Sequence, residues 1–272
     1  MAVYRITGLQ AAVDGLACLR EWELTLLGHD TVAACSASDG AVFRGTGNLD
    51  WQGKAVGYGL PSKYPNETFT FTGSDRAGQG WVSATDGAIV SNLKVFCPIS
   101  SGRHIYHEIE FKATGSLTKG AYSASDSTDP NPLSSKGLSF YVDSAVVSGV
   151  EGWVLEINAN ETDPSYQSHM SGWPVRDAGN IDASISWSQT FDAMSQLVSV
   201  NTFYLIEPWV DSTRKYEMQW GQVLAEPVKY QIEGQPPGKA AYIKATCSAH
   251  FSGYKDGVQG YLKKPGVVSF WP

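Results

Sequence analysis

Few residues in this chain have the makings of a reactive site. His104 and His107 form an H-x-x-H pair, a spacing that invites a shared metal on suitable backbone. Glu108 and Glu110 follow at once, two carboxylates of the kind that work together as acid and base. Cys18, Cys35, Cys97 and Cys247 supply thiols, and His29, His169 and His250 are the remaining imidazoles.

What these groups can do depends on the backbone beneath them. In "RHIYHEIEFKAT" the apolar Ile105, Ile109 and Phe111 alternate with Tyr106, Glu108 and Glu110, which predicts a strand. On a strand, the spacing of His104 and His107 sends the two rings to opposite faces, so they do not share a metal. Glu108 and Glu110 fall on the face away from the core, where carboxylates are solvated or meet a partner. The cysteines form no C-x-x-C pair and have no histidine at zinc-finger spacing, so they read as buried apolar thiols rather than a disulfide frame. No G-x-S-x-G elbow, P-loop or dinucleotide fingerprint is present; "GTGNLD" holds G-x-G without a third glycine or a following helix. The chain is therefore expected not to be an enzyme, with no catalytic, cofactor-binding or metal-binding residue assigned.

The elements that carry these residues are strands throughout. The chain has 272 residues with 42% hydrophobic and 17% charged content, as in an ordered globular protein. Its 28 glycines and 12% aromatics suit short strands joined by tight turns better than a helical bundle. The net charge of −7 opposes a surface that grips nucleic acid, because phosphate binding needs clustered lysine and arginine. No apolar run is long enough to span a bilayer. The opening "MAVYRITGLQAAVDGLACL" is interrupted by Asp14 and has only Arg5 before it, so it reads as mature protein that stays in the cell that makes it. The sequons at Asn66 and Asn160 are then incidental.

The organisation comes from an echo. "RGTGNLD" at 44–50 returns as "RDAGNID" at 176–182, an offset of 132. At that offset "KAT" at 112–114 returns at 244–246, Thr70 and Phe71 return as Thr202 and Phe203, and Tyr122 as Tyr254. "WELTL" at 22–26 matches "WVLEI" at 153–157 at an offset of 131. These matches predict a tandem duplication: a first β domain over 1–126, a linker over 127–137 containing Pro130 and Pro132, and a second β domain over 138–272. Alternation at Trp22, Leu24 and Leu26, at Leu49 and Trp51, and at Ile185 and Trp187 predicts antiparallel sandwiches or barrels. Two stretches are expected outside the β core. Residues 188–200 space Phe191, Met194, Leu197 and Val198 like a short helix, and 52–67, rich in breakers, reads as loop with a helical turn.

In order and content these features resemble the major tail tube proteins of long-tailed bacteriophages. The likeness rests on "EWELTL", on "GNLDWQG" at 47–53, on "DGAIVSNLKVFCP" at 86–98 and on "IEFKATGSLT" at 109–118. The first half follows that layout over nearly its whole length. The second departs from it, with Ala183 in place of the tryptophan and no close copy of "SNLKVF". The resemblance implies a virion structural protein in which each unit is a β-sandwich with a flanking helix. Three double-unit chains would form a pseudo-sixfold ring, and rings would stack into a tube through which DNA passes without specific binding. It also implies that the protein meets tail terminator, tape-measure and distal tail proteins, that it lies in the phage tail after assembly in the host bacterial cytoplasm, and that it contacts no membrane and needs no cofactor. Glu108 and Glu110 are then expected to face the lumen. The alternative is a duplicated sandwich that binds carbohydrate through its tryptophans, or a tail-tip or adaptor protein.

Overall fold

The computed structural model describes residues 2–7, 12–13, 16, 19–33, 43–75, 77–122, 132–162, 176–191, 198–199, 201–223, 229–233, 242–266 and 269–271. The protein is mainly β. Its strands are β1 (Ala2–Thr7), β2 (Ala12–Val13), β3 (Leu19–Ala33), β4 (Phe43–Tyr58), β5 (Thr68–Phe69), β6 (Thr72–Ser74), β7 (Gln79–Ser83), β8 (Ala88–Cys97), β9 (Tyr106–Ala113), β10 (Leu117–Ala121) and β11 (Phe140–Val142). They continue with β12 (Ala145–Val146), β13 (Val150–Thr162), β14 (Asp177–Phe191), β15 (Thr202–Pro208), β16 (Glu217–Val223), β17 (Lys229–Glu233), β18 (Tyr242–Phe251), β19 (Tyr254–Lys255), β20 (Val258–Gln259), β21 (Leu262–Lys263) and β22 (Ser269–Trp271). Among the described residues the helical content is one 3-10 turn, Ile99–Ser101.

One antiparallel sheet runs through both halves in the order β1-β3-β4-β9-β8-β13-β14-β18-β16-β15-β11-β12. In the first half a second sheet, β10-β7-β6-β2, closes a core against it. Phe71, between β5 and β6, sits at the centre of that core, with ring centroids 5.8 Å from Trp22, 5.7 Å from Trp51 and 5.2 Å from Phe111. In the second half the large sheet curls over itself instead. Phe140 of β11 lies four places from β14 in strand order, yet its ring is 5.1 Å from that of Trp187. The alternation read at 105–111 holds: Ile105, Ile109 and Phe111 are buried, Tyr106 and Glu108 half-buried, and Glu110 exposed.

The hairpins β3–β4 and β13–β14 share a register. Trp22 faces Ala55 and Leu26 faces Trp51, while Trp153 faces Trp187 and Ile157 faces Ala183. Asp50 of the first echo faces Leu27, and Asp182 of the second faces Asn158, which is the same rung of each ladder. Volumes along these strands are traded. β4 buries Trp51 and Ala55 where β14 buries Ala183 and Trp187. Gly53 faces Phe111, whereas Ile185 faces Ala249. Large and small residues thus stand in reversed places on the two strands, each packed against its own neighbours.

Three expectations are corrected. Residues 52–58 are not loop: they complete β4, a central strand between β3 and β9. The glycine taken as a breaker is there for close approach, since a Cβ on Gly53 would lie 2.3 Å from Cζ of Phe111. The expected helix over 188–200 fails at its start, because residues up to Phe191 extend β14 and pair with β18 as far as Ile243. There the helical spacing overlapped a two-residue period that a neighbouring ladder was available to satisfy; 192–197 and 200 lie outside the described residues. The "KAT" echo is not equivalent in space either. Lys112 faces Gln52 and Lys244 faces Thr190, while Ser184, the residue matching Gln52, faces His250.

The missing copy of "SNLKVF" also has a form. Like β8 against β9, β16 and β17 both pair with the strand that follows β14 in the sheet, namely β18. Val90 faces Phe111 and Lys94 faces Glu108; in the second half Val223 faces Ala249 and Lys229 faces Thr246. What is one strand in the first half is thus two strands in the second. Of the expected linker, 127–131 lies outside the described residues. Its end is docked: Ser135 is fully buried, its hydroxyl donates to the carbonyls of Pro98 (2.8 Å) and Arg103 (2.5 Å), and Ile105 N–H donates to Leu133 O (2.8 Å).

Candidate functional surface

The fold separates the groups singled out for chemistry. His104 is exposed with its ring 6.1 Å from that of Tyr58, while His107 points into the core at 1% exposure. The His107 Nδ1–H donates to Gly59 O at 3.1 Å, and burial lowers the ring pKa to about 4, so the imidazole is neutral at physiological pH. Cys97 and Cys247 are buried free thiols on a row that runs Cys97–Trp153–Trp187–Cys247 across four strands. Burial pushes them up to about 12 and about 11, far from the thiolate that nucleophilic work requires. Cys18 and Cys35 lie outside the described residues. Among the described residues no three His, Cys, Asp or Glu side chains gather where they could hold a metal. Trp22, Trp51, Trp153 and Trp187 are core residues, which removes four of the nine tryptophans from any role in stacking on sugars.

Glu108 and Glu110 lie on one broad face of the large sheet, opposite the core. Their cross-strand neighbours are Val56 and Lys94 for Glu108, and Lys54 and Asn92 for Glu110. The face is a ladder of alternating sign rather than an acidic field. Lys54 Nζ lies 2.6 Å from Glu108 and Lys94 Nζ 3.2 Å from Glu156. The hydrogen bond that Lys54 donates to Glu108 raises the Lys54 pKa, with further Coulombic help from Glu108, Glu110 and Glu21 against the opposing cost of burial. Asn92 donates to Glu156 (3.2 Å) and to Asn158, carrying the ladder from the first half into the second. These pairs are partly exposed, so they set charge pattern more than stability.

Where the halves meet, three principal sets of contacts join them, two of which use residues of the echo. β8 and β13 pair antiparallel from Trp153 opposite Cys97 to Asn158 opposite Asn92, which makes the sheet continuous. Arg176, first residue of the second echo, grips Asp50, last residue of the first. Its Nη1 and Nη2 donate to the two carboxylate oxygens at 3.1 and 2.8 Å, and Nη1 also donates to Ala113 O at 2.7 Å. Both side chains are largely buried, at 11% and 18% exposure, so this forked pair is of the stronger kind. The Arg176 main chain is held as well, donating to and accepting from the Thr114 hydroxyl, each at 3.1 Å. Third, the Asn66 side chain forms a two-bond clasp on Gly179: Nδ2 donates to its carbonyl at 2.8 Å and Oδ1 accepts its N–H at 3.0 Å. Lys264 adds an ion pair to Glu67 at 2.9 Å, and Tyr64 and Tyr216 share a buried hydroxyl contact of 3.3 Å.

Sequence reasoning found the echo but not these partners. The signal lay in the echoes themselves, each beginning with arginine and ending with aspartate, but nothing in a sequence says that one copy's arginine holds the other copy's aspartate. No protein-family model matches the chain, and no curated protein does.

Proposed function

We propose that this protein is a structural subunit of a phage tail tube, built from two alike β units over 1–126 and 138–272. Three chains close into a ring of six units, and rings stack into a conduit for DNA. The observation that carries this is the seam itself: β8 and β13 splice the two halves into one continuous sheet. A unit that extends its neighbour's sheet in a head-to-tail sense will keep adding units until the arc closes or a filament grows. The shared register of the β3–β4 and β13–β14 hairpins supports the two-unit reading. So does the equal placement of the two echo aspartates.

The broad face bearing Glu108 and Glu110 is assigned to the bore. Lys54 and Lys94 on it pair with Glu108 and Glu156, Lys112 stands two residues from Glu110 on the same side of β9, and the chain's net −7 is what opposes phosphate. Negative-stain microscopy of the purified protein tests the function directly. Rings or tubes with six density lobes around an open centre are expected; a protein that stays monomeric as concentration rises would refute it. For the lining, tubes of Glu110→Lys should retain duplex DNA at low salt where wild-type tubes do not, and equal retention would place that face elsewhere.

A further inference from the structure

The seam within the chain is a template for the joint between chains. Three of its contacts join a forward face of the first half (Asp50, Asn66 and the edge of β8) to a rear face of the second (Arg176, Gly179 and the edge of β13). Equivalent positions stand at the other two faces, and on the second half's forward face they hold nothing among the described residues.

On the forward face of the second half, Asp182 occupies the rung of Asp50. It is exposed and, among the described residues, has no partner. Asn201 reproduces Asn66 in backbone as well as in type. Both have positive φ, 55° and 69°, and both donate their N–H to the matching valine, Asn201 to Val223 O at 2.6 Å and Asn66 to Val90 O at 3.0 Å. The Asn66 amide clasps Gly179; the Asn201 side chain is exposed and holds nothing among the described residues. β17 stands where the seam half of β8 stands. It pairs with β18 alone among the described residues, so its outer edge is the counterpart of the β8 edge that meets β13.

On the rear face of the first half, Arg44 and Gly47 are the echo positions of Arg176 and Gly179, and both lie in β4. The edge of β3 is already taken. β1 pairs with 21–26, the stretch that corresponds within a residue to the 153–158 span that β8 covers on β13.

Resting on the ring reading above, we infer that a second copy docks head to tail through these residues. Asp182 of one copy receives Arg44 of the next, Asn201 clasps Gly47, and β17 pairs with β3 after β1 has left that edge. Transferring the seam's register places Ile232 opposite Trp22, Gln231 opposite Glu23, Tyr230 opposite Leu24 and Lys229 opposite Thr25. β1 is then a self-pairing strand that blunts an open edge until the partner arrives, which is how sheet proteins avoid premature edge-to-edge growth.

Sedimentation velocity over a concentration series tests this on the full chain. Asp182→Arg and Arg44→Asp should each weaken association at least tenfold, and the doubly reversed chain should recover most of it. Asp182 is exposed, so its reversal leaves the fold intact, as an unchanged circular dichroism spectrum will record. Removing residues 2–7 should speed assembly. If wild type forms rings and the charge reversals do so equally well, the joint is elsewhere although the ring reading stands. If wild type never associates and loss of residues 2–7 does not release it, both fail. If that loss abolishes assembly, β1 stays on β3 and the strand exchange is wrong.

Discussion

Cutting the Arg176–Asp50 fork measures how firmly the halves are spliced. Arg176→Ala removes two charge-assisted hydrogen bonds to Asp50 and one to Ala113 O, and strands a carboxylate that is 18% exposed. Breaking a buried pair from one side costs ~3–5 kcal/mol. Asp50 keeps the Trp51 N–H at 2.7 Å and some solvent, so the lower end applies, about 3 kcal/mol. Arg176→Lys keeps the charge but reaches one oxygen rather than two, for about 1.5 kcal/mol. Asp50→Asn combined with Arg176→Ala completes a cycle whose coupling should be roughly 2 kcal/mol. Urea unfolding followed by tryptophan fluorescence supplies all four stabilities. A coupling under about 0.5 kcal/mol, the scale of an exposed pair, would mean that the fork decorates the joint and does not hold it.

Two further outcomes are expected from the core. Gly53→Ala should cost about 2 kcal/mol or more, because the new methyl meets the Phe111 ring at 2.3 Å and Glu23 O at 2.9 Å, the latter being backbone that cannot swing aside; a urea midpoint equal to wild type would refute the close approach. His107 titrates in the folded protein at about 4 against an ordinary 6.5, so its neutral form contributes stability that is full above pH 6.5 and is lost as pH falls toward 4. That interval corresponds to about 3 kcal/mol. Urea midpoints for His107→Gln should therefore fall less between pH 7 and pH 4.5 than those of wild type, and an identical fall would assign the acid sensitivity to other groups.

Local alternation was enough to read β9, and with it the faces of Glu108, Glu110 and His107, because a two-residue period fixes which side each residue takes. It was not enough where a residue's reason lies on another strand. Gly53 looks like punctuation until Phe111 is laid over it, and Ser188 to Phe191 look helical until β18 is beside them. Letter matching had the same weakness. The echo at 44–50 and 176–182 marks equivalent rungs, whereas the "KAT" match, equally good on paper, pairs strands out of step. Ladder register is set by hydrogen bonds between distant segments, so only matches that agree across a whole hairpin carry structural weight. The forked pair was beyond reach for a similar reason, its members being 126 residues apart.

The traded volumes make the two hairpins poor spare parts for one another. If β4 were copied over β14, Ala249 would face a glycine and a hole would open in that core. Copying in the other direction would drive an isoleucine into the Phe111 ring. Mismatched interiors therefore fit each strand to its own place in the fold and to no other.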